Sequence, residues 1–429
     1  MPASTIRVLV IGYVWPEPRS SAAGGHMMQL LESFVGAGWH VTFASPATVG
    51  EHKADLAALG IAECAITLND SGFDTFVSQL APEVVLFDRF MMEEQFGWRV
   101  EKCCPQAVRV LETVDLQSLR DARQQLLKAR LRDNSDCADF NDLFHASLYR
   151  VYDPMAEAEV TQREIAAIYR SDLSLMISDV EIDLLTQQFK VPAALLHWCP
   201  LMLESIPTTA RSFDQREHFL SIGNFRHEPN WDAVLWLKNT LWPLIRAQLP
   251  QAQLHIYGAY TPPKATALHN PKQGFLVLDR AEDALQVMAL ARVNLAPLRF
   301  GAGIKGKLAD AMLCGTPSVT TPIGAEGMHG ALPWPGAIGT TAQQLSQAAV
   351  DLYQDPVLWQ HASRDALHLL EQRYAFSRHA AALVERICAL MADLATHRRQ
   401  NFTGAMLRHH HHKSTQYMSQ WIEAKNRVL

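Results

Sequence analysis

The chain has 429 residues, of which 48% are hydrophobic and 19% charged, and its formal net charge is −6. At about 100–200 residues per domain, that length calls for two or three domains with ample material for buried cores. The acidic balance excludes a global basic field that would draw the protein to nucleic acid, so any anion binding must be local. In chain order, short β-rich runs alternate with helical patterns: RVLVIGY (7–13), VTFASP (41–46), AITLN (65–69), VVLFD (84–88), VRVLET (108–113) and LSLMIS (173–178). Several are apolar throughout, as strands buried on both faces of a parallel sheet are. A polar, helical insertion over about 116–170 separates the fifth run from the sixth.

Periodicity lapses at PLMLESIPTTARSFDQRE (200–217), the expected linker. The rhythm then resumes with HFLSIGN (218–224), QLHIYGA (253–259), GFLVLD (274–279), VNLAPL (293–298) and SVTTP (318–322), which predict a second parallel sheet. The α/β reading is two Rossmann-like doubly wound domains in tandem, over 1–205 and 206–395, with a helical extension over 396–429. Within that extension His409 to His412 are consecutive, so they cannot all face one ion on a helix, and they read as a solvated turn without a metal. The seven cysteines, including Cys137, form no C-x-x-C pair and fit a reducing cytoplasm. The N-terminus enters a strand without a signal-peptide pattern, and no apolar run reaches the ~18 residues of a membrane span. Peripheral membrane contact and oligomeric state stay open.

The most informative stretch is RFGAGIKGKLADAMLCGTPSVTTPIGAEGM, Arg299 to Met328. A helix is predicted from about Ile304 to Leu313, stopped by Gly315 and Pro317. At ~100° per residue Ile304, Leu308, Ala311 and Met312 form an apolar stripe, with Lys307 and Asp310 on the adjoining side. Gly301 and Gly303 permit close approach to main-chain N–H groups, and the helix start leaves its first donors unpaired and partly positive. Lys305 and Lys307 add full charges there, which suits a diphosphate. The bland reading is a turn with two solvated lysines.

This stretch resembles the donor-binding segment of GT-B fold glycosyltransferases, in particular the retaining glycosyltransferase family 4, or glycosyl transferases group 1. FLSIGNFRHEPNWDAV, PRSSAAGGHMMQLL, RVLETVDLQSLRDAR and REIAAIYRSDLSLMISDVE are similar to further segments of such enzymes. The resemblance implies two domains facing across a cleft, with nucleotide-sugar donor on the C-terminal domain and a glycan, lipid-linked or other hydroxyl acceptor on the N-terminal one. It implies transfer with retention and without metal or other cofactor, in surface polysaccharide or glycolipid synthesis. Lys305, Lys307 and Arg226 would offset the leaving diphosphate, Asp310 would accept from ribose hydroxyls, and Gly301, Gly303 and Ile304 would line the donor. Two departures stand out: Ala302 occupies the place of the first of two family glutamates, and GNFRHEPN does not keep the usual arginine and lysine spacing. Arg226 has a second reading, a loop pair with Glu228.

On the acceptor side, ligands of doubly wound sheets gather outside the carboxyl ends of strands, which directs attention to Asp88, Glu112 and Asp115. Asp115 is the candidate catalytic group near the acceptor hydroxyl, or else the cap of a helix beginning near Leu116. Gly24 and Gly25 open a helix from His26 to Val35 that either faces the diphosphate or merely caps itself. His26 is a further acceptor-side candidate, or a structural histidine. MMEEQFGWR (91–99) reads as an acceptor pocket wall or a salt-bridged helix. No compact G-x-G-x-x-G follows the first strand and no Walker motif occurs. The competing functions are an inactive sugar-nucleotide-binding subunit and a GT-B nucleotide-sugar epimerase.

Overall fold

The computed structural model describes residues 5–133, 140–144, 148–204 and 211–428. Cys137 and the expected boundary at 205/206 lie outside those residues. The first sheet comprises β1 (Arg7–Ile11), β2 (His40–Ser45), β3 (Ala62–Ala65), β4 (Val84–Asp88), β5 (Val108–Glu112), β6 (Leu173–Met176) and β7 (Leu196–Trp198). They pair in parallel in the order β3-β2-β1-β4-β5-β6-β7, with Leu9 registered against Thr42 on one side and Val85 on the other. The second sheet holds β8 (Phe219–Ile222), β9 (Leu254–Tyr257), β10 (Phe275–Val277), β11 (Val293–Ala296), β12 (Ser318–Thr320) and β13 (Gly336–Ile338). Its parallel order is β10-β9-β8-β11-β12-β13. Both are doubly wound, and their order reverses at β1/β4 and at β8/β11, the crevices where such folds take ligands.

The apolar runs are strands because each buries both faces. In β1, Leu9 and Ile11 join one core with Phe73, Phe96 and Leu111, while Val8 and Val10 join another with Leu30, Phe34 and Leu383. The strand expected at 65–69 lies earlier, at Ala62–Ala65. Gly60, at φ 73°, ends the preceding turn and delivers the chain directly to Thr42 of β2. The insertion is helical as expected, with helices Gln117–Asp133, Asn141–Phe144, Leu148–Ala156 and Glu159–Arg170 among its described residues.

Two features at the end of the chain differ from expectation. Helix Phe376–Ala392 does not stay with the second sheet. Its Leu383, Ile387 and Leu390 pack into the core of the first, so the chain crosses back between domains. His409 to His412 form no turn. They belong to helix Phe402–Val428, and His412 is buried, because its ring lies between Glu93 and Glu101 of helix Phe90–Cys103. No helix among the described residues is long and apolar enough to cross a membrane.

Candidate active site

The Gly-rich loop leaves the carboxyl end of β11 and feeds helix Gly306–Leu313, whose N-cap is Lys305. Ile304, Leu308 and Met312 anchor it in one core with Leu369, Leu370 and Tyr374, so the Ile304 side chain is buried. Ala311 packs on the opposite flank with Leu220 and Met288. The far end is held by Arg216, fully buried at the close of the expected linker, whose guanidinium donates to the Cys314 carbonyl and the Thr316 hydroxyl, both at 2.6 Å. The helix therefore cannot shift along its axis without breaking charged hydrogen bonds.

The two lysines diverge. Lys307 is half-buried and reaches beneath the end of β8, where its Nζ donates to Asn230 Oδ1 at 2.8 Å. A Cβ on Gly223 would lie 2.7 Å from that ammonium and 2.6 Å from Asn230 Nδ2, so glycine is required there for close approach. Burial pulls Lys307 down to about 7, with no carboxylate among the described residues offsetting it, and pushes Asp310 up to about 7. Lys305 instead turns back: its Nζ donates to the Gly303 carbonyl at 2.6 Å, and burial lowers it to about 8 despite Glu326, Glu181 and Asp115 nearby.

The loop is clamped between the domains. Arg123 of helix Gln117–Asp133 donates to the Gly301 carbonyl at 2.8 Å and forks onto Glu326 with two bonds of 2.7 Å. Glu181, buried in helix Asp179–Gln187, accepts the Leu116 N–H at 3.2 Å and the Gly303 N–H at 2.8 Å through one oxygen. Its other oxygen is buried without a hydrogen-bond partner among the described residues. Burial, then the charge of Asp115, pushes Glu181 up to about 8. Gly303, at φ 63°, abuts Asp115, and an added Cβ would come within 2.9 Å of the aspartate's own Cβ. Ala302 packs on apolar residues of the first domain's core, so the position of the family acid serves domain contact here.

Across the cleft each strand-end carboxylate has at least one partner, although one oxygen of Glu112 is buried without a hydrogen bond among the described residues. Asp115 pairs with Arg120 and does not cap the following helix, whose Gln117 and Ser118 N–H groups go to Glu164 at 2.8 and 3.0 Å. Glu112 accepts the Val114 N–H at 2.9 Å and lies 3.5 Å from Nδ1 of His26, which is itself buried. Asp88 accepts the Tyr13 N–H at 3.0 Å, and burial raises its carboxyl against the pull of Arg89. Arg89 and Val114, just past β4 and β5, have φ of 72° and 65°, strained values that cluster at functional strand ends. Gly24 is pressed against the Glu17 backbone, whereas Gly25 has open space beside it. Arg226 stacks on Tyr260, 3.8 Å from the ring centroid, and Glu228 bonds Gln124, so the alternative reading of Arg226 as a loop pair with Glu228 is not what the structure has. Glu93 pairs with Arg170 and Glu94 with Arg163, giving residues 91–99 the salt-bridged reading.

Sequence reasoning passed over Arg123, Glu181, Asn230, Glu326 and His227. The last is a neutral ring whose neighbours include Arg120 and Asp115 of one domain and Lys307 of the other. Burial takes it down to about 4. Glu181 and Glu326 stood inside the motif-bearing segments, next to DV and GA, but only their partners reveal them.

Residues 216–355, the segment that carries the Gly-rich loop and its helix, match the glycosyl transferases group 1 family. The chain resembles the glycosyl transferases of that group. Solved structures extend the likeness to the whole fold. Sucrose-phosphate synthase from Thermosynechococcus elongatus superposes with a TM-score of 0.66 at 15% identity, covering 90% of this chain and 99% of that one. HepE of Anabaena, in complex with UDP and glucose, gives 0.62 at 12% identity over 90% and 100% of the two chains. WaaG, a glycosyltransferase involved in lipopolysaccharide biosynthesis, gives 0.56 at 13% over 88% and 98%. The fold of this group 1-like chain is therefore GT-B. No curated protein sequence matches the chain.

Proposed function

We propose that this group 1-like chain transfers a sugar from a nucleoside diphosphate to an acceptor hydroxyl, with retention and without a metal or other cofactor, and that it works in the cytoplasm. The family match supports sugar transfer in general. The observation that supports the finer reading is Lys307, an ammonium desolvated beside the start of helix Gly306–Leu313 and bonded to a neutral amide. A departing diphosphate there would receive the ammonium and the helix's free N–H groups together. The C1–O bond to the diphosphate breaks, the acceptor oxygen bonds C1 on the same face, and the acceptor proton passes to a departing phosphate oxygen. Asp115, held by Arg120, would orient the acceptor hydroxyl, and Asp310 would accept from the ribose. Lys305 would act on the donor through the loop it holds. The related HepE structure holds UDP and glucose, which supports a hexose and a uridine nucleotide as the first donor to try.

The test is a thermal-shift screen of UDP, GDP, ADP and CMP sugars, followed by anomer-resolved product analysis with the best stabiliser and simple alcohol, glycan and lipid-linked acceptors. Stabilisation with a glycoside product of retained configuration supports the reading. Stabilisation without turnover would leave a binding subunit, and an epimerised nucleotide sugar would leave an epimerase.

A further inference from the structure

Helix Phe402–Val428, 27 residues and ~40 Å long, has its amphipathicity reversed. Projected at ~100° per residue, Asn401, Arg408, His412, Ser419 and Glu423 fall within an arc of about 60° and face the protein. Asn401 donates to the Tyr169 carbonyl at 2.7 Å, Arg408 lies 3.3 Å from Glu101, and Arg99 donates to the Ser419 hydroxyl at 3.0 Å. Ser71 donates to Glu423 at 2.6 Å. The opposite arc of about 100° carries Phe402, Met406, Tyr417 and Trp421 into solvent, the three aromatics 71%, 65% and 60% exposed. Polar residues thus anchor the helix while Phe402, Tyr417 and Trp421 stand largely in solvent, an arrangement that marks an interaction surface.

Charge chooses the occupant. Exposed Lys413 lies between the aromatics on that arc, and exposed Lys425 approaches the Trp421 ring at 5.4 Å. The helix's one acid, Glu423, is turned inward to Ser71 and Arg427. A basic, aromatic strip on an otherwise acidic chain fits an anionic surface. A second copy fits less well, because two-fold antiparallel pairing about the helix midpoint, residue 415, would bring the two Lys413 ammonium groups within ~6 Å of one another along the axis. Tyr, Trp and Phe spread along a straight helix also suit a flat apolar–water boundary better than a protein pocket. We propose that this face lies on the surface of an anionic lipid bilayer, with the aromatics in the headgroup–acyl boundary. The helix packs on Phe90–Cys103 and Glu159–Arg170, elements of the acceptor-side domain. The surface therefore presents that domain to lipid-linked acceptors.

The test is co-sedimentation of the full-length protein with vesicles of phosphatidylglycerol and phosphatidylcholine in equal parts, against phosphatidylcholine alone. Binding to the anionic vesicles, weakened by salt, is expected. Trp421→Glu should weaken it at least about tenfold and Lys413→Glu about fivefold or more, with the unfolding temperature unchanged because both side chains are exposed. Equal sedimentation of wild type and Trp421→Glu, no sedimentation at all, or a dimer in ultracentrifugation that Trp421→Glu dissolves would each overturn the proposal. Donor-induced thermal stabilisation should be the same in both proteins, so this result and the donor assignment fail independently.

Discussion

The two banks of the cleft are built from the same kind of strand end, yet they treat charge in opposite ways. On the first domain's bank Asp115 is paired with Arg120, Glu112 accepts the Val114 N–H through one oxygen, and Asp88 accepts the Tyr13 N–H. On the second domain's bank Lys307 is bonded to a neutral amide and Asp310 has no charged offset among the described residues, so burial alone moves both toward 7. A buried charge costs free energy unless it is paired. A cation and a carboxyl that share one crevice without a charged partner are the pattern expected where a ligand completes the site, and the proposed nucleotide-sugar donor would bring the phosphate and hydroxyl groups to do so.

The largest expected effect breaks that comparison on the donor side. Lys307→Ala should lower donor kcat/KM by about ten- to a hundredfold, the worth of one charged hydrogen bond of roughly 1.5–3 kcal/mol. Its folding stability should hold or rise, since an uncompensated buried charge has gone. Steady-state kinetics beside thermal unfolding checks both, and unchanged kinetics would end the diphosphate assignment. Next comes the clamp between the banks. Arg123→Ala leaves Glu326 without its fork and Gly301 without its donor, and should cost about 3 kcal/mol in urea unfolding. Gly303→Ala should act in the same direction by driving a Cβ into Asp115 at a positive φ, and should widen the particle in solution scattering. A Gly303→Ala protein as compact and stable as wild type would mean the domains are not held at this loop.

What sequence reading reached and missed follows from the same physics. The strands were legible because a parallel sheet buries both faces, and Val8 to Ile11 or Val84 to Asp88 show that directly as unbroken apolar or enclosed runs. β7 and β13 went unread because Leu196–Trp198 and Gly336–Ile338 show no apolar run, whereas the equally short edge strand β10 is marked by the apolar FLVL (275–278). Lys307 was legible because the glycines, the cations and the helix start are adjacent in the chain. Glu181, Arg123 and Glu326 were not, because each draws its meaning from a partner more than a hundred residues away. The helical extension was legible, but His409 to His412 were read as a solvated turn because the partners of His412, Glu93 and Glu101 on helix Phe90–Cys103, lie some three hundred residues away in the chain.

The smallest effect sharpens the contrast most, because it reads protonation directly. Lys307 falls from an ordinary 10.5 to about 7 on folding, so between those values the unfolded chain binds the proton that the native one has released. Stability therefore rises with pH across that window, and the contribution is lost as pH falls through about 7. Asp310 runs the other way: its carboxyl rises from 3.8 to about 7, so its contribution is lost as pH climbs through about 7. The native free enzyme is thus penalised by both groups around neutrality. A bound diphosphate restores charge to Lys307, so donor binding at pH 8 should take up about one proton. Calorimetry in buffers of different ionisation heat measures that number, and Lys307→Met should bring it close to zero. Undiminished uptake in the methionine variant would place the responding group elsewhere, with Lys305 the next ammonium to test.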